Sequence, residues 1–273
     1  MSSLEKEPLE GFMVREEPFY LPLGGEVEVF RAAAGEGLPV MLKGPTGCGK
    51  TRFLTRMAWE LKRPLITVAC HEELTGPDLV GRHLLLEGET RWVDGPLSLA
   101  VRHGAICYLD EIVEARQDSL VLLHPLLDER RMLVVERLGR VIRAAKGFLP
   151  VISYNPGYQS ALKELKVSTA QRFAALDFDY PAPEAEKVIV AREAGVGEEL
   201  AGRLVTAGVR IRRLKEAGLA EGASTRLLIY AGRLIRAGLA PLQAARACLL
   251  GPLTDDQDLK EAISGVLEDV FGG

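Results

Sequence analysis

Residues Gly44-Pro45-Thr46-Gly47-Cys48-Gly49-Lys50-Thr51 place glycines, a lysine and a hydroxyl at the spacing GxxxxGK[ST]. Glycines there let successive backbone N–H groups wrap a phosphate without side-chain clash. Lys50 would reach the β- and γ-phosphates of a nucleotide, and the Thr51 hydroxyl would bind Mg²⁺. A second group, Ile106-Cys107-Tyr108-Leu109-Asp110-Glu111, ends an apolar run in two carboxylates. Asp110 would hold Mg²⁺, mostly through water, and Glu111 would polarise the water that attacks the γ-phosphate. Taken singly, each group has an inert reading. A glycine-rich turn can match by chance, and adjacent acids at a strand end can be merely solvated. Together they point to hydrolysis of a nucleoside triphosphate.

These groups need a scaffold that brings them to one edge. Apolar runs at 38–43, 64–69, 105–109, 149–153 and 175–178 are short and rich in Val, Ile and Leu. Helical patterns at 26–34, 50–61 and 96–102 separate several of them. That alternation predicts a parallel five-stranded α/β sheet covered by helices on both faces. Such sheets bind ligands at the carboxyl ends of their strands, where both motifs would lie. A helix at 50–61 would also turn its N-terminal dipole toward the phosphate. Two stretches break the alternation, 81–93 and 132–144. Each reads as a β-hairpin, with turns at Glu87-Gly88-Glu89 and Leu138-Gly139. Residues 1–12 read as a mobile tail.

Pro181-Ala182-Pro183 marks a boundary, because two prolines stiffen the chain and stop strand pairing. Beyond it Ala, Leu, Arg and Glu dominate. Helices are predicted at 184–194, 198–217, 224–237, 241–250 and 255–270, with glycines near several ends. The expected organisation is an α/β core over 1–180 and an all-helical domain over 181–273.

Composition narrows the function classes. The 273 residues carry 47% hydrophobic and 26% charged side chains and a formal net charge of -4. Those are globular values, and they supply no global basic field for nucleic acid. The four cysteines form no CxxC pair, and the four histidines show no metal-ligand spacing. No apolar run nears the roughly 18 residues that span a bilayer. The polar, acidic beginning MSSLEKEPLE is not a signal peptide. The expectation is a cytoplasmic protein. Arginine supplies 24 of the 34 basic residues, so one well-placed arginine says little alone.

The phosphate loop followed by Asp110-Glu111 resembles an AAA+ ATPase, a P-loop NTPase. The hairpins at 81–93 and 132–144 resemble the helix-2 and pre-sensor-1 inserts of the MoxR clade. The stretches VMLKGPTGCGKTRF, PLITVAC, DLVGR, RWVDGPL, ICYLDEIVEARQDS, VISYNPGYQS, QRFAALDFDYP and GASTRLL narrow the resemblance to the CbbQ/NirQ/NorQ group. It covers roughly residues 12–270. It implies ATP and Mg²⁺ as cofactors and a helical lid over 181–273. It also assigns three further residues. Asn155 resembles sensor 1, which orients the attacking water, although an asparagine before Pro156 also suits a turn cap. Arg172 resembles an arginine finger reaching a neighbouring subunit's site. Arg226 resembles sensor 2, early in a helix that Ser224 would cap. A base-contacting stretch at 14–20 is the best candidate for adenine, and His71 is left unassigned.

A site completed by a neighbour requires a closed ring, and the expectation is a homo-hexamer. The resemblance implies a von Willebrand factor A (VWA)-domain adaptor (CbbO/NorD-like) and a protein client, rubisco or nitric oxide reductase. The rubisco activase branch is preferred. Two rivals are a nucleic-acid motor, which the net charge opposes, and a scaffold without hydrolysis, which Lys50, Asp110, Glu111 and Asn155 oppose. Leu84–Leu86 and Trp92 could pack on the core or line a pore. Arg130, Arg131, Arg137, Arg140 and Arg143 make the second hairpin basic, either as a solvated face or for an acidic client.

Overall fold

The computed structural model describes residues 7–86, 88–156 and 165–272. Its strands, in chain order, are β1 (Val40–Lys43), β2 (Leu65–Ala69), β3 (Gly81–Leu86), β4 (Glu89–Asp94), β5 (Ile106–Asp110), β6 (Met132–Val135), β7 (Arg140–Arg143), β8 (Leu149–Tyr154) and β9 (Ala174–Asp177). Five of them form a parallel sheet in the order β2-β5-β8-β1-β9. The predicted five-stranded α/β core is therefore present. Its strands are apolar on both sides because both faces are covered. On one face Val40, Leu42, Ile106, Tyr108, Leu149 and Val151 pack with Phe30 and Phe53. On the other, Met41, Cys107, Leu109 and Ile152 pack with Leu97, Leu126 and Phe148.

The helix Lys50–Leu61 matches its predicted span. It buries Phe53, Leu54, Met57 and Ala58, a stripe spaced for one helical face. Phe53 is fully enclosed and touches the rings of Phe30, Tyr20 and Phe178 at 5.2–5.3 Å between centroids. Burying a side chain of this size contributes about 1.5–3 kcal/mol, and it fixes the helix that carries Lys50 and Thr51.

Both predicted hairpins exist. β3 pairs with β4 and β6 with β7, each antiparallel. In the first hairpin Trp92 packs against the core and donates from Nε1 to Asp94 at 2.7 Å, while Leu85 is 74% exposed. The turn residue Glu87 lies outside the described residues. In the second hairpin Leu133, Val135 and Ile142 are buried. Its predicted basic face needs a correction at one residue. Arg131 turns inward and donates to the carbonyls of Gly37 (2.6 Å) and Phe148 (2.7 Å). Arg137, Arg140 and Arg143 are exposed.

The expected mobile tail is also corrected. Residues Glu7–Glu10 form a helix, Leu9 and Phe12 pack on the core, and Phe12 O accepts from Leu65 N at 2.9 Å. Residues 1–6 lie outside the described residues.

The described chain falls into two compact units. One takes in residues up to Gly44 together with Lys50–Phe178; the other joins Pro45–Gly49 to the chain from Asp179 onward. The second unit is helical, with helices Pro183–Ala194, Glu198–Arg213, Thr225–Arg236, Pro241–Leu249 and Gln257–Phe271 around its own core. Among the described residues, no helix is long and apolar enough to cross a membrane.

Candidate active site

Three neighbouring strands carry the predicted chemistry to one edge. β1 runs into the glycine-rich loop, β5 ends at Asp110, and β8 lies between them and leads to Asn155. The registers Val40↔Val151 and Tyr108↔Val151 bring their carboxyl ends level. Gly44 N donates to Tyr154 O at 3.3 Å, so the loop leaves β1 bonded to the residue before Asn155. Gly44 has φ +148°, and a Cβ there would sit 2.3 Å from Phe178 O. Only glycine fits that place. Lys50 Nζ donates to Gly44 O at 2.6 Å, which folds the lysine back across the loop.

Asp110 is held by its neighbours. The Tyr108 hydroxyl donates to Asp110 Oδ1 at 2.6 Å, and the Ser153 hydroxyl donates to the same oxygen at 2.5 Å. Ser153 Oγ also accepts from Glu111 N at 3.1 Å. Glu111 takes a left-handed backbone, φ 55° and ψ 49°. For a residue with a side chain that costs on the order of 1–3 kcal/mol and is characteristic of functional sites. Burial, then the Asp110 charge, pushes the Tyr108 phenol well above its ordinary range, which keeps it an O–H donor. Nearby, burial raises Cys70 and Cys107 to about 12, with Asp110 and Glu111 adding to the effect at Cys70. These thiols are inert core groups.

In the second unit, the loop arc Pro45–Gly49 neighbours the start of the helix Thr225–Arg236. A Cβ on Gly47, which has φ +70°, would lie 2.7 Å from the Ser224 Cβ and 3.4 Å from the Arg226 Cβ. Ser224 caps that helix, accepting from Leu227 N at 3.4 Å, as expected. Thr46 N donates to Glu221 Oε1 at 3.4 Å, and the Tyr180 hydroxyl donates to Thr46 O at 3.4 Å. Tyr180 is covered by the Arg212 guanidinium, 4.0 Å above its ring.

Arg212 belongs to a buried ion pair. It donates to both oxygens of the fully enclosed Glu186, at 2.7 and 2.6 Å, and its Nε donates to Ala223 O at 2.7 Å. Thr225 Oγ1 adds a third donor to Glu186 at 2.5 Å. This network fixes the segment that leads into Ser224 and Arg226. Removing one partner of a buried pair leaves the other uncompensated, at about 3–5 kcal/mol. Glu186→Ala is expected to lower unfolding stability by about that amount in urea titration. A loss below about 1 kcal/mol would show the pair to be dispensable.

Arg172 lies apart from these groups. It follows the short helix Val167–Ala170 and makes a 3.5 Å ion pair with Asp128, which Arg130 also chelates at 2.6–3.1 Å. Hydrogen bonding from Arg130 holds the Asp128 carboxyl down at about 2. His71 is exposed just past Cys70, whose N–H donates to Asp110 O at 2.9 Å. Tyr20, in the stretch proposed for adenine, donates to Glu26 at 2.8 Å. Part of the stretch VISYNPGYQS, at 157–160, lies outside the described residues.

Comparison with known proteins adds to this geometry. Residues 39–173 match the family described as AAA domain (dynein-related subfamily), and residues 186–270 match CbbQ/NirQ/NorQ C-terminal. The chain is 58% identical to Protein CbbQ of Hydrogenophilus thermoluteolus, over 95% of this chain and 97% of that one. It is 56% identical to Protein NorQ of Paracoccus denitrificans, over 93% and 94%. The chain belongs to the CbbQ/NirQ/NorQ family of AAA+ ATPases. Solved structures share its fold. A putative ATPase from Cytophaga hutchinsonii superposes with a TM-score of 0.52 at 17% identity, covering 91% of this chain and 89% of that one. The Thermotoga maritima RuvB Holliday junction branch migration motor does so at 0.52 and 19%, covering 93% and 72%.

Membership of this ATPase family implies nucleotide binding. The donor set suits a magnesium ion held partly by that nucleotide. Among the described residues, no three His, Cys, Asp or Glu side chains gather to form a protein-only metal cage. Mg²⁺ in ATPase sites takes one or two protein ligands and completes its shell with phosphate oxygens and water. Tyr108 and Ser153 are the residues that sequence reading missed. For Tyr108 the available signal was period-two spacing, since it stands two residues before Asp110 on the same face of β5.

Proposed function

We propose that this chain is the motor subunit of a cytoplasmic homo-hexameric ring that spends ATP to remodel a metabolic enzyme together with a VWA-domain adaptor. The observation that carries the reading is that β1, β5 and β8, which lead into Gly44, Asp110-Glu111 and Asn155, are neighbouring strands with level carboxyl ends. In this reading the backbone of Gly44, Pro45, Thr46, Gly47, Cys48 and Gly49 cradles the phosphates, and Lys50 neutralises them. Thr51 and Asp110 would hold a Mg²⁺ ion, which would draw charge from the γ-phosphate oxygens. Glu111 takes a proton from the attacking water, and Asn155 orients that water. Arg226 acts from the same chain. Its position beside Gly47 supports that role. Arg172 acts on the neighbouring subunit, and its half-exposed place away from its own loop supports that.

The client proposed is rubisco, reactivated from an inhibited state. Identity to Protein CbbQ over nearly the whole chain supports this branch. The second reading is maturation of nitric oxide reductase, favoured by the similar identity to Protein NorQ. The deciding experiment purifies the chain with its VWA-domain adaptor and adds ATP with inhibited rubisco. ATP-dependent recovery of carboxylase activity is the expected result. No recovery, with activation of nitric oxide reductase instead, would transfer the assignment to the second reading.

A further inference from the structure

We propose that Tyr108 and Ser153 are positioning residues that fix which Asp110 oxygen meets the metal ion and that tie Asp110 to Glu111. The inference rests on the ATPase reading above. Both side chains stand in otherwise apolar strands, and both are fully enclosed. A buried hydroxyl is costly unless it is bonded. These two bond to a single atom, Asp110 Oδ1, at 2.6 and 2.5 Å. Donors to an ionised carboxylate are among the strong hydrogen bonds. Two of them on Oδ1 lock the carboxylate torsion and would leave Oδ2 to meet the ion.

The network extends in both directions. At one end, the Tyr108 hydroxyl donates to Asp110 Oδ1 at 2.6 Å. Tyr108 therefore touches one of the two residues proposed to hold Mg²⁺. At the other end, Ser153 Oγ accepts from Glu111 N while donating to Asp110. One hydroxyl thus holds two consecutive acids, and Glu111 keeps its left-handed backbone. The sheet register makes this possible. Leu109 pairs with Ile152, so Asp110 and Ser153 are the next residues along adjacent strands.

The two residues divide the work differently. Tyr108 acts on the ion site alone, whereas Ser153 acts on the ion site and on Glu111. Outer partners of metal ligands typically change metal affinity or activity by about 10–100-fold. In Tyr108→Phe, the half-saturating Mg²⁺ concentration for ATP turnover is expected to rise about tenfold, with kcat at saturating Mg²⁺ within about twofold of wild type. Ser153→Ala is expected to show the same Mg²⁺ shift and also a kcat about tenfold lower.

A second readout is independent of turnover. Mn²⁺ titrated into the full-length protein with ADP, followed by electron paramagnetic resonance, should show the same weakening. Metal-free ADP binding should be unchanged. Metal titrations of both variants that overlay wild type would overturn the proposal, as would an equal loss of metal-free ADP binding. If Ser153→Ala fails to fold, the Tyr108→Phe titration decides, since that change keeps the ring and removes one oxygen. A wild-type chain with no Mg²⁺-dependent turnover would instead overturn the ATPase reading itself.

Discussion

Replacing Glu111 with Gln is expected to lower ATP turnover by at least about 100-fold while ATP binding stays near wild type. The change keeps the shape of the side chain and removes only its capacity to take a proton. General-base contributions of this kind run to about 10²–10⁴-fold. The backbone at residue 111 should hold its place, because its N–H still donates to Ser153 Oγ. The phosphate loop lies on β1, two strands away in the order β5-β8-β1, and loses nothing. The variant should therefore accumulate as an ATP-loaded assembly, visible by nucleotide retention in size-exclusion chromatography. Turnover at the wild-type rate would remove Glu111 from the mechanism.

Arg172→Ala carries the second large effect. An arginine supplied in trans is worth about 10³–10⁵ in rate, so the variant alone should be nearly inactive. The fold should survive. Among the described residues Arg172 makes one side-chain ion pair, at 3.5 Å, and its partner Asp128 keeps the tighter Arg130 fork. The decisive measurement mixes two inactive chains. Arg172→Ala keeps an intact site and lacks the finger; Glu111→Gln keeps the finger and lacks the base. Mixed rings should regain ATPase activity, because some intact sites then face an intact finger. A mixture as inactive as its parts would show Arg172 to act within its own chain or not at all.

The parts of the fold that could be read from sequence share one physical property: they are long or strongly punctuated. The helix Lys50–Leu61 announces itself by an apolar stripe after a glycine-rich loop. Sheet strands covered on both faces appear as apolar runs, and their ends agree with expectation to within two residues. The short helices Gly76–Val80, Gln117–Val121 and Val167–Ala170 had too few turns to show a period. The N-terminal anchor was hidden because only Leu9 and Phe12 carry it, inside an acidic stretch.

The site divides along the same line. Residues contiguous in a motif, from Gly44 to Thr51 and Asp110-Glu111, were readable as chemistry. Contacts that depend on strand register were not. Nothing local to Ser153 indicates that it will stand beside Asp110. Nothing local to Arg131 indicates that its charge will be used on the carbonyls of Gly37 and Phe148 rather than presented to solvent. Family resemblance supplied Asn155, Arg172 and Arg226, which composition and spacing alone leave indistinct.

The place of β8 at the centre of the sheet bears on how the molecule comes into being. β1 and β5 do not pair with each other; each pairs with β8. The phosphate loop and the two acids are thus separated until the strand at Leu149–Tyr154 inserts between them. Contacts spanning that much chain form slowly, because the intervening loops must first be closed. On the ribosome the loop at Gly44 emerges well before that strand does. A nascent chain would carry the phosphate motif for some time with no metal-binding partner beside it. The strand at Leu149–Tyr154 is thus the piece that brings the phosphate loop and the two acids to one edge.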